Sequence, residues 1–259
     1  MKQQAAALSR PSATLRDRLE SVYWWLESVI DPGAKSTQYR YADTLRCLVE
    51  RESRWMDLGC GHAILPDWVS DQEVLLERAQ RAVGVDPDVG SLAQHNQIKR
   101  LVAATCEELP FRASVFDRIS ANMVVEHLAR PLPTLREIHR VLRSGGVLLF
   151  HTPNARFYLT WMASCLPQSI KNTMIRFSEG RKKADVYPTH YRMNRLQDIH
   201  RVAGESGFRV VQCESLNSSA VNSIFLGPLA CIDLLIRRIL RQERFKEFRS
   251  NFIVVLEKV

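Results

Sequence analysis

At 259 residues, 46% of them apolar, the chain is long enough to bury a real core, as one large domain or as one domain with a cap. Its 36 Lys and Arg against 28 Asp and Glu leave a formal charge of +8, so some face is basic and suited to nucleic acid, an anionic membrane or an acidic substrate. Six widely spaced cysteines without a CxxC pair exclude a zinc framework and a small disulfide scaffold, and are expected as reduced thiols in a cytoplasm.

The first 20 residues, MKQQAAALSRPSATLRDRLE, lack the apolar stretch of a signal peptide. Residues 13–30 carry apolar positions at helical spacing, and 36–50 read as a second helix. RWMDL is a short buried strand stopped by glycine, followed by a helix or loop through about Gln80. RAVGVD is a second strand, SLAQHNQIK a crossover helix, LVAA a third strand and FDRISANMV a fourth. PTLREIHRVLR is an amphipathic helix, GGVLLFHTP a fifth strand, RLQDIHRVAGESG a helix, and FRVVQCES and NFIVVLEKV the last two strands. Strands alternating with helices imply an α/β fold, a Rossmann-like, doubly wound and mostly parallel seven-stranded sheet with ligands at the carboxyl ends of its strands. Residues 154–189 and 215–249 interrupt the alternation and read as helical cap insertions. The late apolar run, SIFLGPLACIDLLIRRIL, is broken by Pro228, Asp233, Arg237 and Arg238 and is no transmembrane span.

The first strand runs into Asp57, Leu58, Gly59, Cys60, Gly61, His62 and Ala63. Glycines there let the backbone take positive φ and approach a ligand closely. The dinucleotide fingerprint needs a third small residue at position 64, and Ile64 breaks it. Asp86 ends the second strand, where a carboxylate can accept both hydroxyls of a ribose. Asp57 beside the turn would repel a diphosphate and welcome a cation. A ribose with a positive charge and no phosphate describes S-adenosylmethionine.

MDLGCGHA, VGVDPD, CEELPF, FDRISANMVVEHL and LREIHRVLRSGGVLLFHTPN come in order and at fitting spacing. With them the chain resembles the class I S-adenosylmethionine-dependent methyltransferases, in the branch acting on small and lipid-like molecules such as the ubiquinone-pathway O-methyltransferases. The resemblance runs from about Ser36 to Phe208, plus the last strand. It implies that Asp57, Gly59, Cys60 and Gly61 hold the methionine end of the cofactor, that Asp86 binds its ribose, and that Pro87 packs near the adenine. Thr105 and Cys106 stand where the family has an Asp-Ala pair before the glutamate, here Glu107, so adenine contact passes through Thr105 or the Cys106 backbone. Asn122 and Met123 would border the methyl-transfer channel.

A hydroxyl acceptor needs a base, and histidine suits that work. His127 matches the Glu-His pair that follows the family's fourth strand, His190 a histidine that often borders the acceptor site, and His151 ends the fifth strand at the expected pocket mouth. Met123 occupies the position of that branch's further metal-binding glutamate, and no metal ligand is assigned. His139 and His200 lie on amphipathic helices and are expected at the surface. Tyr39, Arg40 and Tyr191 are the expected acceptor-site residues, and residues 1–50 the expected helical lid, ahead of a methyltransferase domain over 51–259.

Both insertions pair an apolar half with a basic half, which suits an anionic membrane surface and a lipid-linked acceptor. The alternatives are a cap core or a homodimer surface. Nucleic acid is not the expected partner, because the chain carries no recognition helix, RNA-binding module or zinc site. The expected function is methyl transfer to a small or lipid-like acceptor at oxygen. A non-catalytic partner of the same fold, or methylation of RNA or protein, is the alternative.

Overall fold

The computed structural model describes residues 15–70, 72–165, 187–218 and 229–259. The start of the expected N-terminal helix, the basic half of the first insertion and the apolar start of the second lie outside the described residues.

Seven strands form one mostly parallel sheet, as the alternation implied, and their order is β3-β2-β1-β4-β5-β7-β6. They are β1 (Trp55–Leu58), β2 (Val83–Asp86), β3 (Arg100–Ala103), β4 (Phe116–Asn122), β5 (Leu142–Pro153), β6 (Phe208–Leu216) and β7 (Asn251–Lys258). Strands β1 to β5 pair in parallel, and β7 runs antiparallel to β5. The sheet order reverses between β1 and β4, so the crevice of a doubly wound sheet opens at their carboxyl ends.

The helices follow from the sequence in the same way. α1 is Leu15–Ile30 and α2 Thr37–Leu48; the crossovers α3 (Glu73–Ala79) and α4 (Val89–Gln94) are short. Asp88 caps α4 by accepting from the backbone of Gly90 and Ser91. α5 (Pro131–Val141) starts on a proline, whose missing N–H costs nothing at a helix start, and turns Leu135, Ile138 and Val141 inward. α6 is Tyr158–Cys165, α7 Leu196–Glu205 and α8 Leu229–Leu240. Met56, Val85, Ile119, Leu148, Phe150 and Val254 from the strands form one apolar cluster with Leu135 and Ile138 of α5 and Ile199 and Val202 of α7. Fully burying each such side chain stabilises the fold by roughly 1.5–3 kcal/mol.

The chain divides into two compact units. The sheet unit comprises Gln38–Ala155, Pro188–Ser215 and Asn251–Val259. The helical unit gathers Met1–Thr37, Arg156–Tyr187 and Leu216–Ser250, so both insertions and α1 belong to one body, whereas α2 belongs almost wholly to the sheet unit. Inside the helical unit Tyr23 packs on Ala230 and Leu234. A buried ion pair joins Arg237 to Asp233 at 2.8 Å, with Tyr158 donating to the same carboxylate. The Arg237 guanidinium also lies 4.9 Å over the Phe157 ring and donates to the Ser218 carbonyl at 2.7 Å. No helix among the described residues is long and apolar enough to cross a membrane.

Candidate active site

Strand register assembles the first part of the site. Asp57 and Ser120 are direct partners across β1 and β4. The Ser120 hydroxyl accepts from the Trp55 indole at 2.7 Å and donates to the Asp57 carboxylate. Both residues are buried, and burial raises the Asp57 pKa to about 7, the Asp86 charge adding to the rise while Ser120 opposes it. Tyr41, from α2, is also fully buried, and its hydroxyl has no hydrogen-bond partner of ordinary geometry. Burial and the Asp57 charge push that phenol well above its ordinary pKa.

The glycine turn after β1 takes the shape its composition implies. Gly59 and Gly61 sit at φ +67° and +51°, the left-handed region that favours glycine. The Gly59 and Cys60 N–H groups both donate to the Val85 carbonyl at 2.7 and 3.2 Å, tying the turn to β2. A Cβ on Gly59 would lie 2.4 Å from Val124, whereas one on Gly61 would meet nothing within 4 Å. The turn is therefore packed on one side and open on the other.

Asp86 is buried at the end of β2 and accepts from the Gly61 N–H at 2.9 Å and from the Asp88 N–H at 2.8 Å, one on each carboxylate oxygen. Each oxygen keeps a further lone pair for an incoming hydroxyl. His95 donates from Nδ1 to the Gly61 carbonyl at 3.2 Å, and its buried Nε2 lacks a partner. Ile64 N–H is held by Gln97 at 2.8 Å. Pro87, Thr105 and Glu107 are exposed and Cys106 is half-buried. Burial, with the Asp86 charge as the next cause, pushes the Cys106 thiol up to about 12, so it is an uncharged surface for a ligand and not a nucleophile.

At the end of β4 the backbone is strained. Met123 is half-exposed at φ +59°, a conformation that costs a non-glycine residue on the order of 1–3 kcal/mol and clusters at functional sites. Its N–H donates to the His151 carbonyl at 2.9 Å. Asn122 and His151 are register partners, and the His151 ring contacts the Asn122 side chain at 3.0 Å while Gln38 pairs with the same amide. His151, expected at a pocket mouth, is instead fully buried and stacked on Tyr41 at 5.8 Å. Burial lowers its pKa to about 4, so it stays neutral at ordinary pH.

The segments that carry the other two histidines are hydrogen-bonded to each other beyond β4. His190 and Tyr191 donate their N–H groups to the Glu126 carbonyl at 2.7 and 3.1 Å. His127 Nδ1 lies 2.9 Å from the Pro188 carbonyl, which can only accept, so Nδ1 carries the proton and Nε2 is the basic nitrogen. The Glu126 side chain is buried, accepts from Thr152 at 3.0 Å, and has its pKa raised to about 7 by burial. Tyr191 is half-buried, with a left-handed φ of +51°. Tyr39 packs edge-on to Trp68 and donates to its carbonyl at 3.3 Å. Arg40 is exposed and forms a two-pronged ion pair with Glu214 of β6. His139, expected at the surface, packs edge-on against Phe208 and lies so close to Gly207 that a Cβ there would be 2.9 Å from its Nε2. His200 is exposed.

Gln38, Tyr41, Ser120, His95 and Thr152 carry no signal of their own in the sequence. Ser120 becomes legible only once β1 and β4 are set in register, and Gln38 only once α2 is placed on Asn122.

A family model described as a methyltransferase domain matches residues 34–213. The malonyl-[acyl-carrier protein] O-methyltransferase of Legionella pneumophila is 30% identical over 119 residues, which is 44% of this chain and 40% of that one. The tRNA U34 carboxymethyltransferase of Cellvibrio japonicus is 25% identical over 159 residues, 54% of this chain and 48% of that one. The matches thus span half or less of these curated relatives. Among solved structures, geranyl diphosphate C-methyltransferase from Streptomyces coelicolor, in complex with Mg2+, geranyl diphosphate and S-adenosyl-L-homocysteine, shares the fold. Its TM-score is 0.54 at 13% identity, covering 98% of this chain and 87% of that one. With the glycine turn, the β2 carboxylate and the sheet order in their places, the chain belongs to the methyltransferase-domain family, of the class I, S-adenosylmethionine-dependent kind.

Proposed function

We propose that the chain methylates a hydroxyl of a small or lipid-like acceptor, in the manner of the small-molecule O-methyltransferases that include the ubiquinone-pathway branch. The residues fit S-adenosylmethionine: the Gly61 side of the turn is open, and Asp86 has acceptor capacity to spare. Asp57, Gly59, Cys60 and Gly61 would hold its amino-acid end, Asp86 its ribose, and Pro87, Thr105, Cys106 and Glu107 its adenine, with Asn122 and Met123 beside the transferred group. When bound, it supplies a methyl group on a sulfonium, an electrophile that needs alignment more than activation. Tyr39, Arg40 and Tyr191 would line the acceptor side.

The observation that carries the oxygen reading is the His127 tautomer. With its proton fixed on Nδ1 by the Pro188 carbonyl, Nε2 can take the proton an acceptor hydroxyl loses as it is alkylated. His190 lies on a different segment, where its backbone N–H donates to the Glu126 carbonyl next to His127, and is the alternate base. The O-methyltransferase relative from Legionella supports the same atom type. Incubation with radiolabelled S-adenosylmethionine and a small-molecule and lipid extract tests this. Label should enter a base-stable methyl ether, whereas a base-labile methyl ester would point to a carboxyl acceptor and overturn the hydroxyl assignment. His127→Ala should lower incorporation by about 10²–10⁴ while S-adenosylhomocysteine binding by calorimetry is unchanged. Label on nitrogen or carbon would overturn the hydroxyl assignment, and wild-type incorporation by both His127→Ala and His190→Ala would overturn the base.

A further inference from the structure

The charge of the chain is divided unevenly between its two units. The helical unit holds 17 Lys and Arg against 9 Asp and Glu, and the sheet unit 19 against 19, so the whole +8 belongs to the helical unit. The same unit displays a concentration of exposed apolar side chains. Val22, Trp25 and Val29 on α1, Ile232, Leu235 and Ile239 on α8, and Trp161 and Met162 on α6 are each between 48% and 62% exposed. On α1 and α8 the spacing is three and four, a continuous stripe along one side of a helix. The opposite side of each helix is occupied: Tyr23 and Glu27 on α1, and Ala230, Leu234 and Arg237 on α8, are buried. α6 is tied to α8 through Tyr158 and Asp233. Arg238, Arg241, Arg244 and Lys246 are exposed at the end of α8 and just beyond it.

We propose that the helical unit is a docking surface for an anionic lipid bilayer, its apolar stripes seated at the boundary of headgroups and acyl chains. Amphipathic helices that carry tryptophan on one side and arginine and lysine at the flanks lie in that interface without crossing it. None of the described helices is long and apolar enough to cross, which leaves the interfacial position as the one these stripes fit. The charge selects the occupant. Each basic residue near an anionic surface raises affinity by roughly fivefold. A second copy of the chain, meeting this face across a two-fold axis, would set one +8 unit against another, so self-association is disfavoured by the same charge. This surface stands on charge and exposure and does not depend on the identity of the acceptor.

Sedimentation of the full chain with vesicles of phosphatidylcholine, with and without phosphatidylglycerol, tests it. Binding is expected only to the anionic vesicles and should be lost as salt is raised. The pair Trp25→Glu and Ile232→Glu should weaken it at least tenfold, as should the pair Arg244→Glu and Lys246→Glu. All four positions are solvent-facing, and S-adenosylhomocysteine binding by calorimetry, unchanged in every variant, keeps a folding or catalytic failure distinguishable. Absence of binding to anionic vesicles at low salt would overturn the proposal. So would binding indifferent to the Trp25 and Ile232 changes, or a dimer in sedimentation velocity that those changes split.

Discussion

Replacing Asp57 by asparagine should stabilise the ligand-free protein at neutral pH while weakening its cofactor site. Burial raises the Asp57 pKa from 3.8 to about 7, so its proton is held more tightly in the folded chain than in the unfolded one. The stability linked to that proton is fully present below the unfolded value and is lost as pH rises toward 7. Three pKa units at about 1.4 kcal/mol each set a ceiling of about 4 kcal/mol on the cost of the buried charge. The asparagine keeps the oxygen that accepts from Ser120 but adds a buried amide donor, which returns about 1–3 kcal/mol. A net gain of about 2 kcal/mol remains, or roughly 4–8 °C in melting temperature for a chain of this size. Thermal melts from pH 4 to 8.5 would show the variant a few degrees below wild type at the acid end, where only the amide penalty separates them, a crossover as pH rises, and a constant gain above pH 7. Glu126, whose pKa is also about 7, is present in both proteins and cancels. A variant that melts below wild type at pH 8, or a gap that ignores pH, would refute the reasoning. A cationic ligand reverses the order, so S-adenosylmethionine should raise the melting temperature of wild type by more than that of Asp57→Asn.

Other positions give sharper contrasts. Gly61→Ala should cost only the backbone strain of positive φ, about 1 kcal/mol in denaturant titration, yet weaken S-adenosylhomocysteine binding at least tenfold by filling the open side of the turn. Gly59→Ala should instead lose about 3 kcal/mol or more, because its Cβ collides with Val124 as well. Arg237→Met should destabilise by about 3–5 kcal/mol, leaving Asp233 buried without its cation; a loss below 1 kcal/mol would show that the pair is dispensable. The His151 ring, its pKa lowered to about 4 by burial, favours the fold above its unfolded value of about 6.5 and opposes it as pH falls toward 4. Its ring-proton chemical shift should therefore stay flat between pH 8 and 5.5.

The sheet was legible because its strands are short apolar runs stopped by glycine, aspartate or proline, a pattern that survives without knowledge of any partner. Asp57, Gly59, Gly61 and Asp86 were legible for a related reason: strand end, bare turn and second-strand carboxylate are close in sequence and act through the backbone. What surrounds them was not. Ser120 reads as an ordinary strand residue until register sets it against Asp57, and Tyr41 and Gln38 reach β4 from a helix that precedes the sheet altogether. His151 ends an apolar strand, and no local pattern tells a buried strand end from an open one. The charge division is a simple count, but it needs unit boundaries that interleave three separate stretches of chain.

What sets one end of the sheet unit apart is buried acid: Asp57 and Glu126 are, among its described residues, the two carboxyls held near pKa 7. Beside them the buried Tyr41 hydroxyl has no partner of ordinary geometry, His95 has an unpaired ring nitrogen, and Met123 a strained backbone. All stand at or near the carboxyl ends of β1, β2, β4 and β5. Elsewhere in the same unit Arg140 bonds Glu137 and the carbonyls of Leu109 and Phe111, while Arg46 Nε and His139 Nε2 are also buried without a partner, so unpaired atoms alone do not mark the site. A fold selected only for stability has no reason to keep a buried carboxylate of this kind, since Asp57→Asn alone should relieve part of its cost. Unrelieved burial at the sheet's reversal point is what a cationic, hydroxyl-bearing ligand would repay on binding, by neutralising one carboxylate and bonding another.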